Sequence, residues 1–503
     1  MKTYLKKIFI IVLLASCCNI YFGCKRSDLD LLPHGPTEAS FFTKESDFTK
    51  AVLGVYAKIN DVYWYNGGPD NTTVPVFLLP GDDITTNQNN EEFEQFSPIQ
   101  SSSQRVDYFY KVWYQLIARA NVVLEKIDKV EPGIYITPNL QDYNKGEALF
   151  LRGYANYNLW NYFGTAPLVT ERVSSTDQFT PPGTTGTQLL DQAIIDFEEA
   201  ANLLPQSWAD GFRGRATKNS AYGMLGKSLV FRASATKNTA DYGLAITALD
   251  KITGASLVAD FGENFAWDAE NNSESLFEYQ ATQAFAFDNV WLSNDFDNAV
   301  GNLSVFWGFY DDNFALFGKS RFFGTTKLFD AFDATDPRRD LTVSSDDRTI
   351  KKYVTVDKLG QSGVGSVNNP RILRYSDALL LKAEAVLQSN GSTSEAIGLV
   401  NQVRARARNM GAGTEPADYP VSETNTTTIM DWIIKERFIE LAGEGQRWLD
   451  LRRWQMQGII TLDNAFFNSN TTTVSFQLPK HLLLPIPNSE IDVNPNVVQN
   501  QGY

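Results

Sequence analysis

The chain is expected to be mostly α-helical, with a tetratricopeptide-like stack of helix pairs followed by an irregular, loop-rich part. Three observations predict this. Apolar residues recur at helical spacing over long segments of the first half. Those segments pair at a pitch of about 34 residues, the period of tetratricopeptide repeats. Between 255 and 370 the helical pattern gives way to Gly, Asn, Asp and aromatic residues, and helices then resume.

Helical periodicity begins near Ser46. The segment 108–130 shows it best: Trp113, Leu116, Ile117, Ala120, Leu124 and Ile127 form one apolar stripe, ended by Pro132-Gly133. A second helix spans 143–163, with Ala148, Leu151, Ala155, Leu159 and Tyr162 on one face. Its alanines allow close packing, and Gly164 and Pro167 stop it. A third covers 187–204, closed by Pro205, and a fourth 217–235. The consensus residues of the repeat are missing, so the stack rests on pitch and on small/large alternation. Helices are expected again over 374–388, 394–409 and 428–453. The tail, 478–503, is rich in Pro and Asn and is expected to wrap over the body.

The N-terminus carries an export signal. Lys2, Lys6 and Lys7 precede an apolar run over 8–14. That run is about half the roughly 20 residues of a membrane-spanning helix, so it reads as a secretory signal. The three cysteines, Cys17, Cys18 and Cys24, all lie in or just after it. A disulfide framework, thiolate catalysis and a Cys-based zinc site are thereby excluded. A cysteine closing an apolar signal is instead a lipid-attachment point. Leu14-Ala15-Ser16-Cys17 has the better small-residue context, whereas Cys24 opens a polar stretch, as a mature N-terminus should. A plain cleaved signal is the bland alternative. Residues 28–36 then read as a polar, Pro-punctuated tether.

Net charge is −15, and removal of the signal would make it more acidic still. No nucleic-acid partner is therefore expected, because phosphates demand a basic face. With only His34 and His481, a Ser-His-Asp site or a His-ligated metal has little to work with. Glu436, Glu440 and Glu444 fall at i, i+4 and i+8. Paired carboxylates can serve glycoside hydrolysis. Here they are balanced by Arg404, Arg406, Arg447, Arg452 and Arg453 near Asp450, and are read as a structural ion-pair helix. Gly81-Asp82-Asp83 and Asp311-Asp312-Asn313 offer oxygen ligands, but neither has the spacing of a calcium loop. Both read as solvated turns, and no cofactor is expected.

Aromatics make up 13% of the chain and crowd into 285–323. Sugar C–H faces lie against Trp and Tyr rings while amides and acids bind the hydroxyls. Trp291, Trp307, Tyr310 and Asn313 supply that mixture, as do Trp64 and Asp70 near the N-terminus. These are the candidate ligand contacts; the bland alternative is loop residues packed on the helical body.

Several motifs resemble the SusD/RagB family. The signature helix is Glu436-Arg437-Phe438-Ile439-Glu440-Leu441-Ala442-Gly443-Glu444-Gly445-Gln446-Arg447-Trp448-Leu449-Asp450-Leu451-Arg452-Arg453-Trp454. Arg374-Tyr375-Ser376-Asp377-Ala378, Val403-Arg404-Ala405-Arg406 and the ending Leu484-Pro485-Ile486-Pro487-Asn488 to Tyr503 are similar too. Glu147-Ala148-Leu149-Phe150-Leu151-Arg152-Gly153-Tyr154 and Tyr162-Phe163-Gly164-Thr165-Ala166-Pro167 match the family's N-terminal half.

The resemblance implies about four helix pairs packed against an irregular C-terminal half. It implies a Bacteroidetes outer-membrane lipoprotein that binds oligosaccharide, or peptide in some members. It also implies a partner, a TonB-dependent SusC-like transporter to which the ligand is delivered. Leu29-Asp30-Leu31-Leu32-Pro33 sits at the family's spacing after Cys24, which shifts the expected lipidation site to Cys24 with Cys17 as runner-up. The implied division is signal 1–23, tether 24–43, helical region 44–235, and C-terminal region 236–503 with the aromatic insertion 285–323. A non-enzymatic binding protein is expected, with a peptide binder or a ligand-free interaction scaffold as alternatives and a hydrolase last.

Overall fold

The computed structural model describes residues 41–63, 73–86, 91–281, 322–353, 368–467 and 473–503. Helices dominate. In chain order the longer ones of the first half are α1 (Glu45–Tyr56), α2 (Gln104–Asp128), α3 (Leu140–Tyr162), α4 (Gln188–Leu203), α5 (Lys218–Thr236) and α6 (Ala240–Leu249). The stripe on α2 is buried along its whole length, from Trp113 to Ile127. Helix α3 packs between α2 and α4, and α5 between α4 and α6. Close approach follows from small residues: Gly153 on α3 meets Phe197 of α4, and Gly226 on α5 meets Leu249 of α6. Thr217 caps α5, its side chain accepting from the Ser220 N–H.

The second half supplies α7 (Tyr375–Gln388), α8 (Thr393–Asn409), α9 (Thr426–Glu440) and α10 (Arg447–Gln457). Helix α7 packs on both α6 and α8. The stack thus runs α1–α2, α3–α4, α5–α6 and α7–α8, and its fourth pair comes from the C-terminal half. Two differences from the sequence expectation stand out. Helix α6 was not anticipated; Leu244 on it is exposed, so it carries no clean apolar stripe. The single helix expected over 428–453 is two helices. It breaks after Glu440, because Gly443 and Gly445 adopt φ of +74° and +75°, a left-handed turn that a helix cannot continue through.

Two short antiparallel pairs tie the irregular part down. Strand β1 (Ile84–Thr86) pairs with β3 (Phe322–Gly324), Ile84 opposite Gly324. Strand β2 (Ser275–Glu278) pairs with β4 (Arg371–Arg374), Ser275 opposite Arg374. A large core runs from Phe48 and Trp113 through Phe150 and Trp160 to Trp448. A smaller one gathers Leu380, Ile397, Val400, Ile433 and Trp454 between α7, α8, α9 and α10. The tail lies over the end of α3: Leu484 N donates to Tyr162 O at 2.7 Å, and the Asn500 side chain donates to Phe163 O at 2.8 Å. No helix among the described residues is long and apolar enough to cross a membrane.

Candidate functional site

The aromatic contacts nominated above, Trp64, Asp70, Trp291, Trp307, Tyr310 and Asn313, lie outside the described residues, as do Cys17 and Cys24. Their chain neighbours inside the body are described, and these converge. Segment 64–72 departs after Tyr63 and segment 282–321 after Ala281. The rings of Tyr63 and Tyr279 stack at 5.4 Å with 22° between planes. Tyr279 OH donates to Asn60 Oδ1 at 2.5 Å, and Tyr63 OH meets Tyr154 OH at 3.3 Å. Asn368 and Asn369, which follow segment 354–367, reach the same corner. Asn368 donates from its side chain to Tyr353 O at 3.3 Å, and Asn369 Oδ1 accepts from Ala281 N at 2.6 Å. The β1–β3 pair joins the strand after 64–72 to the strand after 282–321. The residues that precede 64–72 and 282–321, and those that follow 354–367, therefore lie close together.

Beside that corner lies a cavity of about 320 Å³, lined by Leu53, Tyr56, Ile59, Phe212, Tyr279 and Gln280 among others. Phe212 is 55% exposed. It sits in Gly211-Phe212-Arg213-Gly214-Arg215, the connection between α4 and α5. Gly214 has φ +95°, and a Cβ there would run into Gln280. Arg215 anchors this connection by donating to Glu147 Oε1 at 2.7 Å and lying 4.0 Å over the Trp208 ring. Tyr56 OH donates to Glu147 Oε1 at 2.9 Å and accepts from Ala216 N at 2.8 Å. Sequence reading did not single out Phe212, Tyr279 or Gln280. The available signal was an aromatic flanked by glycines and arginines where no helix needs it.

The carboxylates of the signature segment are buried and paired. Glu436 binds Arg338 at 2.6 Å and Arg404 at 2.9 Å. Glu440 binds Arg338 at 2.9 Å, Arg374 at 3.1 Å, and Arg406. Glu444, on the turn and not on the helix as expected, binds Arg374 and Lys352, each at 2.8 Å. Asp450 binds Arg437 at 2.8 Å and Arg453 at 2.9 Å. Burial would raise the Glu440 carboxyl, but Arg406, Arg374 and Arg338 outweigh it and hold it well below the usual range. A glycosidase pair must face a substrate with one carboxyl protonated; these face guanidinium groups instead.

Arg338 and Arg374 were not among the expected partners. Arg452, which was, donates to Leu482 O at 3.0 Å. Asp82 and Asp83 do not form a solvated turn: both are buried. Asp82 binds Arg447 and Lys327, each at 2.5 Å, and Asp83 accepts from Gly443 N at 2.8 Å. Burial pushes the Asp83 carboxyl up to about 6. His481 is buried too, its ring 5.5 Å from that of Phe96.

Comparison with known proteins places this architecture. Residues 333–503 match the model described as the SusD family, and residues 39–229 match one described as starch-binding, associating with the outer membrane. The chain belongs to the SusD family. SusD-like protein P2 of Formosa agariphila is 25% identical, covering 100% of each chain. The starch-binding protein SusD of Bacteroides thetaiotaomicron is 23% identical, again over 100% of each. A laminarin-binding SusD-like protein of known structure superposes with a TM-score of 0.74 at 23% identity, over 92% of this chain and 100% of that one. Within the SusD frame the ion-pair cluster is buried, whereas Phe212 beside its cavity is exposed.

Proposed function

We propose that this SusD-family chain is a cell-surface lipoprotein that captures oligosaccharide and delivers it to a TonB-dependent, SusC-like outer-membrane transporter, without turning the glycan over. The observation that carries the reading is the convergence of the aromatic-rich segments' roots at the Tyr63–Tyr279 stack. Trp64 and Asp70 follow Tyr63 in the chain, and Trp291 and Trp307 follow Tyr279, so the rings and amides that a sugar chain requires come next in sequence to this stack. The starch-binding description of the matching family and the laminarin-binding relative support a glycan ligand. The guanidinium-paired state of Glu436, Glu440 and Glu444 favours binding over hydrolysis. Removal of residues 1–23, lipidation at Cys24 and a tether over 24–43 would hold the body at the outer membrane.

Calorimetry on the soluble chain from Lys25 onward tests this, with maltohexaose, laminarihexaose and xylohexaose as probes. At least one should bind saturably. Trp307→Ala should weaken that binding by about fivefold or more, the loss of roughly 1 kcal/mol expected of an aromatic contact, with melting temperature unchanged. Binding of peptide mixtures with silence across the glycans would replace the glycan reading by a peptide one.

A further inference from the structure

The cavity of about 320 Å³ beside Phe212 has the size and lining of a small-molecule site. Leu53, Tyr56, Ile59, Phe212 and Tyr279 give it an apolar wall. Most polar groups among its described lining residues are already satisfied inside the protein. Tyr56 OH is held by Glu147 and Ala216 N, and Tyr279 OH by Asn60. The Gln280 side-chain amide exchanges two hydrogen bonds with that of Asn271, at 2.9 and 3.0 Å. Glu278 pairs with Arg371 at 3.0 Å, and Arg215 with Glu147. A ligand rich in hydroxyls would leave them unpaired here or break these bonds, and either costs free energy. A carbon ring carries no such penalty and gains from leaving water.

Arg213 is the exception. Its side chain is 60% exposed, and that of its partner Asp210, at 2.6 Å, is 93% exposed. Exposed pairs of this kind contribute little, so a ligand anion can take the place of Asp210. A guanidinium fork matches a carboxylate. The described lining carries two cations, Arg213 and Arg215, against one acid, Glu278, so the wall is locally cationic. The net charge of −15 belongs to the whole chain and is screened beyond roughly 8 Å at physiological salt. Three rings on the wall, those of Tyr56, Phe212 and Tyr279, favour an aromatic body over an alkyl one.

We infer that this cavity binds a small aromatic monocarboxylate, its ring against Phe212, Tyr56 and Tyr279 and its carboxylate on Arg213. Phe212 and Arg213 lie outside 64–72 and 282–321, so this binding is separate from the glycan capture proposed above.

The test is calorimetry of the soluble chain from Lys25 onward with cinnamate and its neutral counterpart cinnamamide. Phe212 and Arg213 are both largely exposed, so Phe212→Ala and Arg213→Gln should melt with native protein. Cinnamate should bind native protein saturably at one site. Phe212→Ala should weaken both probes by about fivefold or more. Arg213→Gln should weaken cinnamate by a similar factor and leave cinnamamide unchanged. Silence of native protein with cinnamate, or equal binding by native and Phe212→Ala, would overturn the site. Equal affinity of native protein for cinnamate and cinnamamide, or cinnamate binding untouched by Arg213→Gln, would overturn the assignment of a carboxylate ligand.

Discussion

Glu270 differs from the ion-paired acids of the core. It is half-buried and accepts from Asn369 N at 2.8 Å. Burial pushes its carboxyl from 4.5 up to about 7; Glu278 nearby adds to this against Asn369 and Arg371. The fold therefore holds this proton more tightly than the unfolded chain does. The resulting stabilisation is fully present below about pH 4.5 and is lost as pH rises through about 7. Glu270→Gln cannot lose it. The melting temperature of the variant relative to native should accordingly rise between pH 4.5 and pH 8, and a pH-independent difference would refute the account. His481 works in the opposite sense. Burial lowers its imidazole from 6.5 to about 4, so its contribution is present above pH 6.5 and lost as acid approaches pH 4.

At the scale of elements, the turn between α9 and α10 decides how the signature segment is used. It bends Glu444 off the helix, and Glu444 then reaches Arg374 and Lys352. Both turn glycines have positive φ, but their surroundings differ. A Cβ on Gly443 would make ordinary contacts, the nearest 3.6 Å from Ile84; one on Gly445 would sit 2.9 Å from Phe77. Gly443→Ala should thus cost about 1–2 kcal/mol of left-handed strain. Gly445→Ala should cost more, since buried Phe77 must also move, which adds about 1–3 kcal/mol. Urea denaturation of the two variants checks the order; a larger loss at Gly443 would contradict it.

Over the whole molecule, the charge cluster joins regions remote in sequence. Glu440 meets Arg338, Arg374 and Arg406, and Glu274 meets Arg374 and Arg406, so α8, α9, β4 and the segments before β2 and after β3 share one network. Asp82 to Arg447 and Asp83 to Gly443 tie the N-terminal half to the start of α10 and to the turn before it. Removing one carboxylate leaves buried guanidinium groups uncompensated. Glu440→Ala should cost about 3–5 kcal/mol in chemical denaturation. A loss below about 1 kcal/mol, as for an exposed pair, would show that the cluster is not what holds these segments together.

The helices α2 to α5 were legible because helix formation is local: one face buries when apolar residues recur at i, i+3 and i+4, and Trp113 to Ile127 do so unaided. The family motifs and the acidic charge were equally open to reading, since they need no partner. Tertiary structure alone decided the rest. Which guanidinium meets Glu440, why Asp82 is buried and that Phe212 stands beside Tyr279 all depend on which elements come together. The closeness of Phe77 to Gly445 likewise arises only when the two halves pack. Periodicity carries no record of contacts between residues hundreds of positions apart. The helical stack and the family were thus readable from local pattern, whereas the paired charges came from packing.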